Sequence, residues 1–139
     1  MYLVDTNVIS EVRKKSRANT GVLDFFNHAD ETNAQMFLSV VTVGELRRGV
    51  DLIRYRGDKR QANELEDWLV ALVTEYRDQI LDINTDTAQI WGRLRVPHPE
   101  NALDKQIAAT ALIYGLTVVT RNRKDFIQTG VQVLDPFNA

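Results

Sequence analysis

Tyr2-Leu3-Val4 is an apolar triplet that runs straight into Asp5, Thr6 and Asn7, so the first strand available to this sequence ends on a carboxylate. A charge placed there must meet water, a partner or a cation, because burying it alone is costly. Other apolar runs share the strand pattern. Met36 to Val41 is a continuous β-branched and apolar stretch, as expected of a strand covered on both faces, and Leu116 to Thr120 and Val131 to Leu134 follow it. Segments with helical spacing separate them. Such alternation predicts an α/β domain.

The helical segments can be bounded by their caps and breakers. Thr6 to Val12 reads as a short helix, and the basic segment Arg13 to Asn19 as a loop. Thr20 caps a helix that carries Val22, Leu23, Phe25 and Phe26 on one face. Thr42 opens the next, whose Val43, Leu46, Val50 and Ile53 keep helical spacing to about Tyr55, before the Arg56-Gly57-Asp58 break. From Asp58 to about Asp78 a long amphipathic helix presents Leu65, Leu69, Leu72, Val73 and Tyr76 on one side. Ile80 to Ile83 is a short extended piece, and Thr85 starts a helix that ends before Val96-Pro97-His98-Pro99, since proline disfavours helix in the residue before it. Leu103 to Tyr114 is Ala-rich and helical, with Gly115 in the place of a C-terminal cap, and Asn122 to Ile127 is a turn or short helix. No linker or repeat divides the 139 residues, so they read as one domain with a helical insertion at about 58–95.

What is missing narrows the chemistry. The chain has no cysteine, which removes disulfides, thiolate metal sites and Cys nucleophiles and fits a reducing compartment. No apolar stretch is long enough to span a bilayer, and no basic region precedes the first one, so a cytoplasmic protein without a leader is expected. With 17 basic against 19 acidic residues, bulk charge does not select for or against a nucleic-acid partner.

The acids are placed more tellingly. Asp5 follows the first strand, Glu45 lies near the start of the helix after the second, and Asn122 and Asp125 follow Leu116 to Thr120. In a parallel sheet these positions share the carboxyl edge, where α/β folds bind ligands. Asp104 opens the helix that leads into that strand, which starts back at the same edge. Each residue also has a structural role open to it. Thr42-Val43-Gly44-Glu45 has capping-box spacing, in which Glu45 would turn back to the cap residue's N–H. Asp5 can cap the helix from Thr6, Asp104 suits a helix dipole, and Asn122 and Asp125 suit a turn.

Taken together, Val4-Asp5-Thr6-Asn7, then Thr42-Val43-Gly44-Glu45-Leu46, then Asp104-Lys105-Gln106-Ile107-Ala108-Ala109-Thr110-Ala111, then Thr120-Arg121-Asn122-Arg123-Lys124-Asp125-Phe126 resemble the four motifs of the PIN-domain family. More narrowly, the chain resembles the VapC and FitB group of bacterial toxin-antitoxin ribonucleases. The resemblance covers nearly the whole length, in order. It implies a three-layer α/β/α fold with a mostly parallel central sheet, a single PIN-like nuclease domain over 1–139, and an acidic pocket that uses Mg²⁺ or Mn²⁺ to hydrolyse RNA. It implies Asp5, Glu45 and Asp104 as the metal-binding, catalytic acids. Asp125 is expected to complete the cluster, because position 122, where some members carry an acid, holds an amide here. Thr6, Thr120 and Asn122 become pocket contacts. A homodimer and a cognate VapB- or FitA-like antitoxin lying across the groove are implied partners.

Elementary chemistry agrees with the donor set. Hard divalent cations take oxygen ligands, whereas zinc wants nitrogen or sulfur, and the histidines His28 and His98 sit in unrelated segments. Metal-assisted hydrolysis leaving a 5′-phosphate and a 3′-hydroxyl is expected, with Glu45 or Asp125 orienting or deprotonating the attacking water. Clustered acids repel an RNA backbone, so Arg48, Arg121 and Arg123 are read as RNA contacts at the rim. Arg13, Lys14, Lys15 and Arg17 form a second basic stretch, read as a loop rather than a site. Trp68, Leu69, Leu72 and Val73 read as core, leaving open a residual apolar face for a partner. Two other classes stand beside this reading: a non-catalytic α/β interaction module whose acids are caps, and a Mg²⁺-dependent phosphatase. The acylphosphate-forming phosphatases need a second Asp two positions after the nucleophile, where Asn7 stands.

Overall fold

The structure is a computed structural model and describes residues 1–138. Its sheet contains five parallel strands, β1 (Tyr2–Val4), β2 (Met36–Ser39), β3 (Ile80–Leu81), β4 (Thr117–Val119) and β5 (Val133–Leu134), in the order β3-β2-β1-β4-β5. β1 is central because its apolar triplet is paired on both sides: Leu3 stands opposite Phe37 on one flank and Val118 on the other. The runs are continuous rather than alternating because successive residues serve two cores. Leu3 and Val118 join one cluster, while Val4 and Val119 join the other.

Helices α1 (Thr6–Val12), α2 (Thr20–Glu31), α3 (Val40–Tyr55) and α4 (Lys59–Glu75) contribute to one core, where Val8, Val22, Leu46, Val50, Leu69 and Leu72 meet Val4 and Leu38. On the other face α6 (Ala102–Tyr114) and α7 (Arg123–Ile127) bring Ile107, Ala108, Ala111 and Phe126 against Leu3 and Val118. The small Ala108, Ala109 and Ala111 are almost fully buried, which lets α6 lie close to the strands. It ends on Gly115 in the left-handed conformation (φ 65°), as a C-terminal Gly cap requires. α5 (Thr85–Leu94) packs on α6. The result is the expected three-layer α/β/α arrangement, with a sheet that is parallel throughout. No helix of the described residues is long and apolar enough to cross a membrane.

Several boundaries differ from the sequence expectation. α3 begins at Val40 instead of Thr42, capped by Ser39, whose Oγ accepts from the Val41 N–H at 3.0 Å. The apolar run Met36 to Val41 spans both the end of a strand and the start of a helix, so its hydrophobicity does not mark the break. Asn19, not Thr20, caps α2, its Oδ1 accepting from Val22 N–H at 3.2 Å. Arg13 to Asn19 contains a 3₁₀ turn at Lys15–Arg17. The segment expected as a helical insertion supplies α4, the edge strand β3 and α5; β3 pairs Ile80 with Leu38 and Leu81 with Ser39. On α4, Leu69 and Leu72 are core, and the large apolar residue it leaves well exposed is Val70.

Candidate active site

The site begins where β1 and β4 end side by side. After β1 the chain builds outward through β2 and β3, whereas β4 and β5 lie on the opposite flank, so the crevice between β1 and β4 is the topological switch point of the sheet. Asp5 sits at this point, only 3% exposed, with its backbone N–H bonded to the Val119 carbonyl at 2.9 Å. Its Oδ1 accepts from Thr6 N–H at 2.8 Å, capping α1. Its Oδ2 accepts from Thr120 Oγ1 at 2.7 Å and from Asn7 Nδ2 at 3.3 Å. Burial raises the Asp5 carboxyl above its ordinary range; the bonds from Thr120, Thr6 and Asn7 oppose that rise, and the charge of Glu45 adds to it.

Glu45 arrives from α3. Because that helix starts at Val40, Glu45 lies in its second turn, beyond the third helical position that a capping box uses, and the capping-box role is not taken. Its Oε1 instead accepts from Thr6 Oγ1 at 2.8 Å, and the same hydroxyl lies 3.2 Å from Thr42 Oγ1. Asp104 comes from the first turn of α6 and is partly buried. Its carboxyl is pushed up to about 7, by burial first and then by the charges of Asp5, Asp125 and Glu45. Asp125, on α7, accepts from Asn101 Nδ2 at 3.3 Å. Four carboxylates from four elements therefore act on one another at the carboxyl edge.

Among the described residues none of these four takes part in an ion pair. Lys105, buried beside Asp104 in sequence, turns its Nζ to the His98 carbonyl. Negative charge is thus left without a basic counterpart. Among the described residues, no group of three or more His, Cys, Asp or Glu side chains is arranged to hold a metal ion as it stands. The acids form an open set rather than a closed cage.

The remaining candidates separate into those that join this centre and those that do not. Thr6 and Thr120 join it through the bonds above. Asn122 contributes its backbone N–H to Thr120 Oγ1 at 3.0 Å, while its side chain makes no hydrogen bond among the described residues. Arg48 and Arg123 are exposed, and Arg121 lays its guanidinium 4.0 Å from the centroid of the Phe137 ring. Arg47 is engaged with Glu66 at 3.0 Å. Asn7 was not singled out as a site residue by sequence reasoning. Its Nδ2 reaches Asp5 and lies 3.4 Å from Thr120 Oγ1, and its Oδ1 accepts from Arg121 N–H at 3.0 Å. The signal for it was its position in the Asp-Thr-Asn turn.

Comparison with known proteins bears on the whole arrangement. The PIN domain family profile matches residues 2–131. The chain belongs to the PIN domain family. This PIN domain is 34% identical to plasmid stability protein StbB of Pseudomonas syringae pv. tomato, over the full length of both chains. It is 33% identical to toxin FitB of Neisseria gonorrhoeae, covering 99% of each, and 31% identical to VapC ribonuclease Y4jK of Sinorhizobium fredii, covering 99% of this chain and 98% of the other. In three dimensions it matches a chain in the crystal structure of FitAcB from N. gonorrhoeae with a TM-score of 0.85 and 31% identity, over 100% of both chains. A toxin-antitoxin complex from Klebsiella pneumoniae matches with a TM-score of 0.63 and 26% identity, over 98% of both.

Proposed function

We propose that this PIN domain is the toxin of a VapBC- or FitAB-like toxin-antitoxin pair and an endoribonuclease that hydrolyses RNA phosphodiester bonds with Mg²⁺ or Mn²⁺. One observation carries the reading: Asp5, Glu45, Asp104 and Asp125 converge from four elements on the switch point of a parallel sheet, with no ion-pair partner among the described residues to neutralise them. The kinship with a protein named as a VapC ribonuclease supports the substrate class.

The donor chemistry suits a hard divalent cation, since every candidate ligand is oxygen and the charges of Asp5, Asp125 and Glu45 raise the proton affinity of Asp104. A closed protein cage is not required, because Mg²⁺ typically keeps waters and binds one or two carboxylates plus substrate phosphate. Asp5 and Asp104 would hold it, with Glu45 and Asp125 at its margin. When bound, it would polarise the phosphate and offset the charge that develops on its oxygens.

The chain's own groups supply the rest. Thr120, Thr6 and Asn7 fix both oxygens of Asp5, so its carboxylate is already oriented before substrate arrives. Thr6 orients Glu45, which positions the attacking water and takes its proton as that water's oxygen bonds to phosphorus. The bond from phosphorus to the 3′-oxygen breaks, and that oxygen takes a proton from solvent, leaving a 5′-phosphate and a 3′-hydroxyl. Arg48, Arg121 and Arg123 offset the repulsion between the acids and the strand.

We place this activity in the cytoplasm and infer an antitoxin and a second copy of the chain as partners. The relative solved as a toxin-antitoxin complex supports the first. Apolar side chains left open on the last turn of α6, Leu112, Ile113 and Tyr114, support the second. The test is expression of wild type and Asp104→Asn in a bacterial host, with new RNA 5′ ends mapped, and the same pair assayed on RNA with EDTA. Discrete, EDTA-sensitive cleavage by wild type alone is expected; equal cleavage by the variant, or cleavage indifferent to EDTA, overturns the reading.

A further inference from the structure

The basic stretch Arg13 to Arg17 has no part in the acidic centre, yet the structure does not leave it as a slack loop. Lys15–Arg17 form a 3₁₀ turn entered through Lys15 in a left-handed backbone conformation (φ 56°), rare for a residue with a side chain. Glu11 fastens the turn at both ends, accepting from Lys14 Nζ at 2.9 Å and from the Asn19 N–H at 2.9 Å. Arg13, Lys15 and Arg17 are exposed and take part in no ion pair among the described residues.

Across from the turn stands the first half of α4. Together they enclose a cleft of about 450 Å³, lined by Arg13, Lys14, Lys15 and Arg17 on one wall and by Leu65 and Trp68 on the other. Glu64 also reaches this cleft, with its carboxylate 3.4 Å from Arg60. A second cleft of about 200 Å³ contains Thr6 and Glu45 of the candidate active site. The two clefts share Arg13, Gln61, Leu65 and Trp68, so they adjoin, one reaching Glu45 of the acidic centre and the other the basic turn. Trp68 is half-buried and lines both clefts, and its indole N–H is not a buried unpaired group.

We propose that this cleft is a nucleotide subsite for single-stranded RNA, holding the strand next to the scissile phosphate: Arg13, Lys15 and Arg17 bind its phosphates and Trp68 stacks on a base. The inference rests on the proposed RNA-cleaving function and extends it to the path of the substrate. A strand bound at the acidic centre meets negative charge there and needs cations where it leaves. Cations beside an aromatic wall are how proteins track single strands, since the phosphates give charge and every base has a stacking face. Arg13, present in both clefts, sits where the strand crosses from one to the other.

The test compares Lys15→Gln/Arg17→Gln with Arg77→Gln/Arg93→Gln, an equal loss of charge at exposed positions outside both clefts. Binding of a fluorescein-labelled single-stranded 12-nucleotide RNA is measured with EDTA present over a range of salt, and cleavage of the same RNA with Mg²⁺. For the subsite pair, KM is expected to rise about tenfold with kcat changed less than twofold, and the salt slope of binding to flatten by about 1.4, roughly 0.7 for each lost phosphate contact. Trp68→Leu is expected to weaken binding about tenfold, and Trp68→Phe to restore most of it. Equal effects of the two charge pairs overturn the subsite. So does a polyglutamate peptide that displaces the RNA while Trp68→Leu binds like wild type, which marks a protein-docking groove instead. Wild type that binds and cleaves no RNA overturns the ribonuclease reading and the subsite with it; normal cleavage with unchanged KM in the subsite pair overturns the subsite alone.

Discussion

Thr120 Oγ1 donates to Asp5 Oδ2 at 2.7 Å across 115 residues of sequence, and this bond, with the backbone bond from Asp5 to Val119, ties the ends of the two central strands together. The same hydroxyl accepts from Asn122 N–H, so one threonine orients both the buried acid and the turn that leads to Asp125.

Thr120→Val should therefore cost about 1.5–3 kcal/mol, the range for hydrogen bonds to charged groups. It should also raise the Asp5 carboxyl further, because this bond is the largest influence holding it down. Urea melts at neutral pH and the pH dependence of cleavage measure the two effects. Thr120→Ser should stay near wild type in both, and a Val variant as stable as wild type would show that the bond contributes little.

Thr6→Val removes the donor to Glu45 Oε1 while keeping the side chain's shape. Loss of orientation alone is expected to lower kcat by up to about 100-fold with the melting temperature little changed. An unaltered kcat would mean that Glu45 needs no orienting partner.

The pH dependence of stability follows from Asp104. Its folded pKa, raised to about 7, lies above the unfolded value near 3.8, so between those limits the folded chain holds a proton that the unfolded chain has released. Stability should fall as pH rises from about 4 to about 7 and level off above that. Asp5, raised in the same direction, adds to the trend. Melting temperatures in EDTA across pH 4–8 should show this decline in wild type and a shallower one in Asp104→Asn. Mg²⁺ or Mn²⁺ should stabilise wild type most at the high end, where the acids are ionised; equal stabilisation at pH 5 and pH 8 would argue against binding at these carboxylates.

Gly21 lies on α2 under the C-terminal 3₁₀ turn, Pro136–Asn138, where a methyl group would collide with the Pro136 carbonyl. Gly21→Ala should cost about 1–3 kcal/mol, the usual range for overpacking. It should also release Phe137 from Arg121. Limited proteolysis near the C-terminus reads out the second effect.

Phe126 is fully buried on the α6 face of the sheet, one residue from Asp125. Phe126→Ala is expected to destabilise by about 3–5 kcal/mol in equilibrium unfolding. A loss below 1 kcal/mol would mean that α7 contributes little to that core.

Much of this molecule is legible locally. The runs at Tyr2–Val4, Met36–Val41 and Leu116–Thr120 announce buried strands, the spacing of Leu65, Leu69 and Leu72 announces the amphipathic α4, and Gly115 marks the stop of α6, because each signal reports burial or backbone conformation within a short stretch. The acids after the strands are legible for the same reason: once the sheet is parallel, connectivity carries them to one edge. Sequence periodicity cannot say which strands pair. Only the order β3-β2-β1-β4-β5 makes the β1–β4 crevice the switch point, brings Thr120 onto Asp5 and Arg121 onto Asn7, and adds Ile80–Leu81 to the edge beside β2. Likewise only the packing of α4 across from the Lys15–Arg17 turn gives that basic stretch an aromatic wall. Those relations come from hydrogen bonds and contacts between residues tens of positions apart, whose energies depend on relative placement in space, and no window along the chain contains both partners.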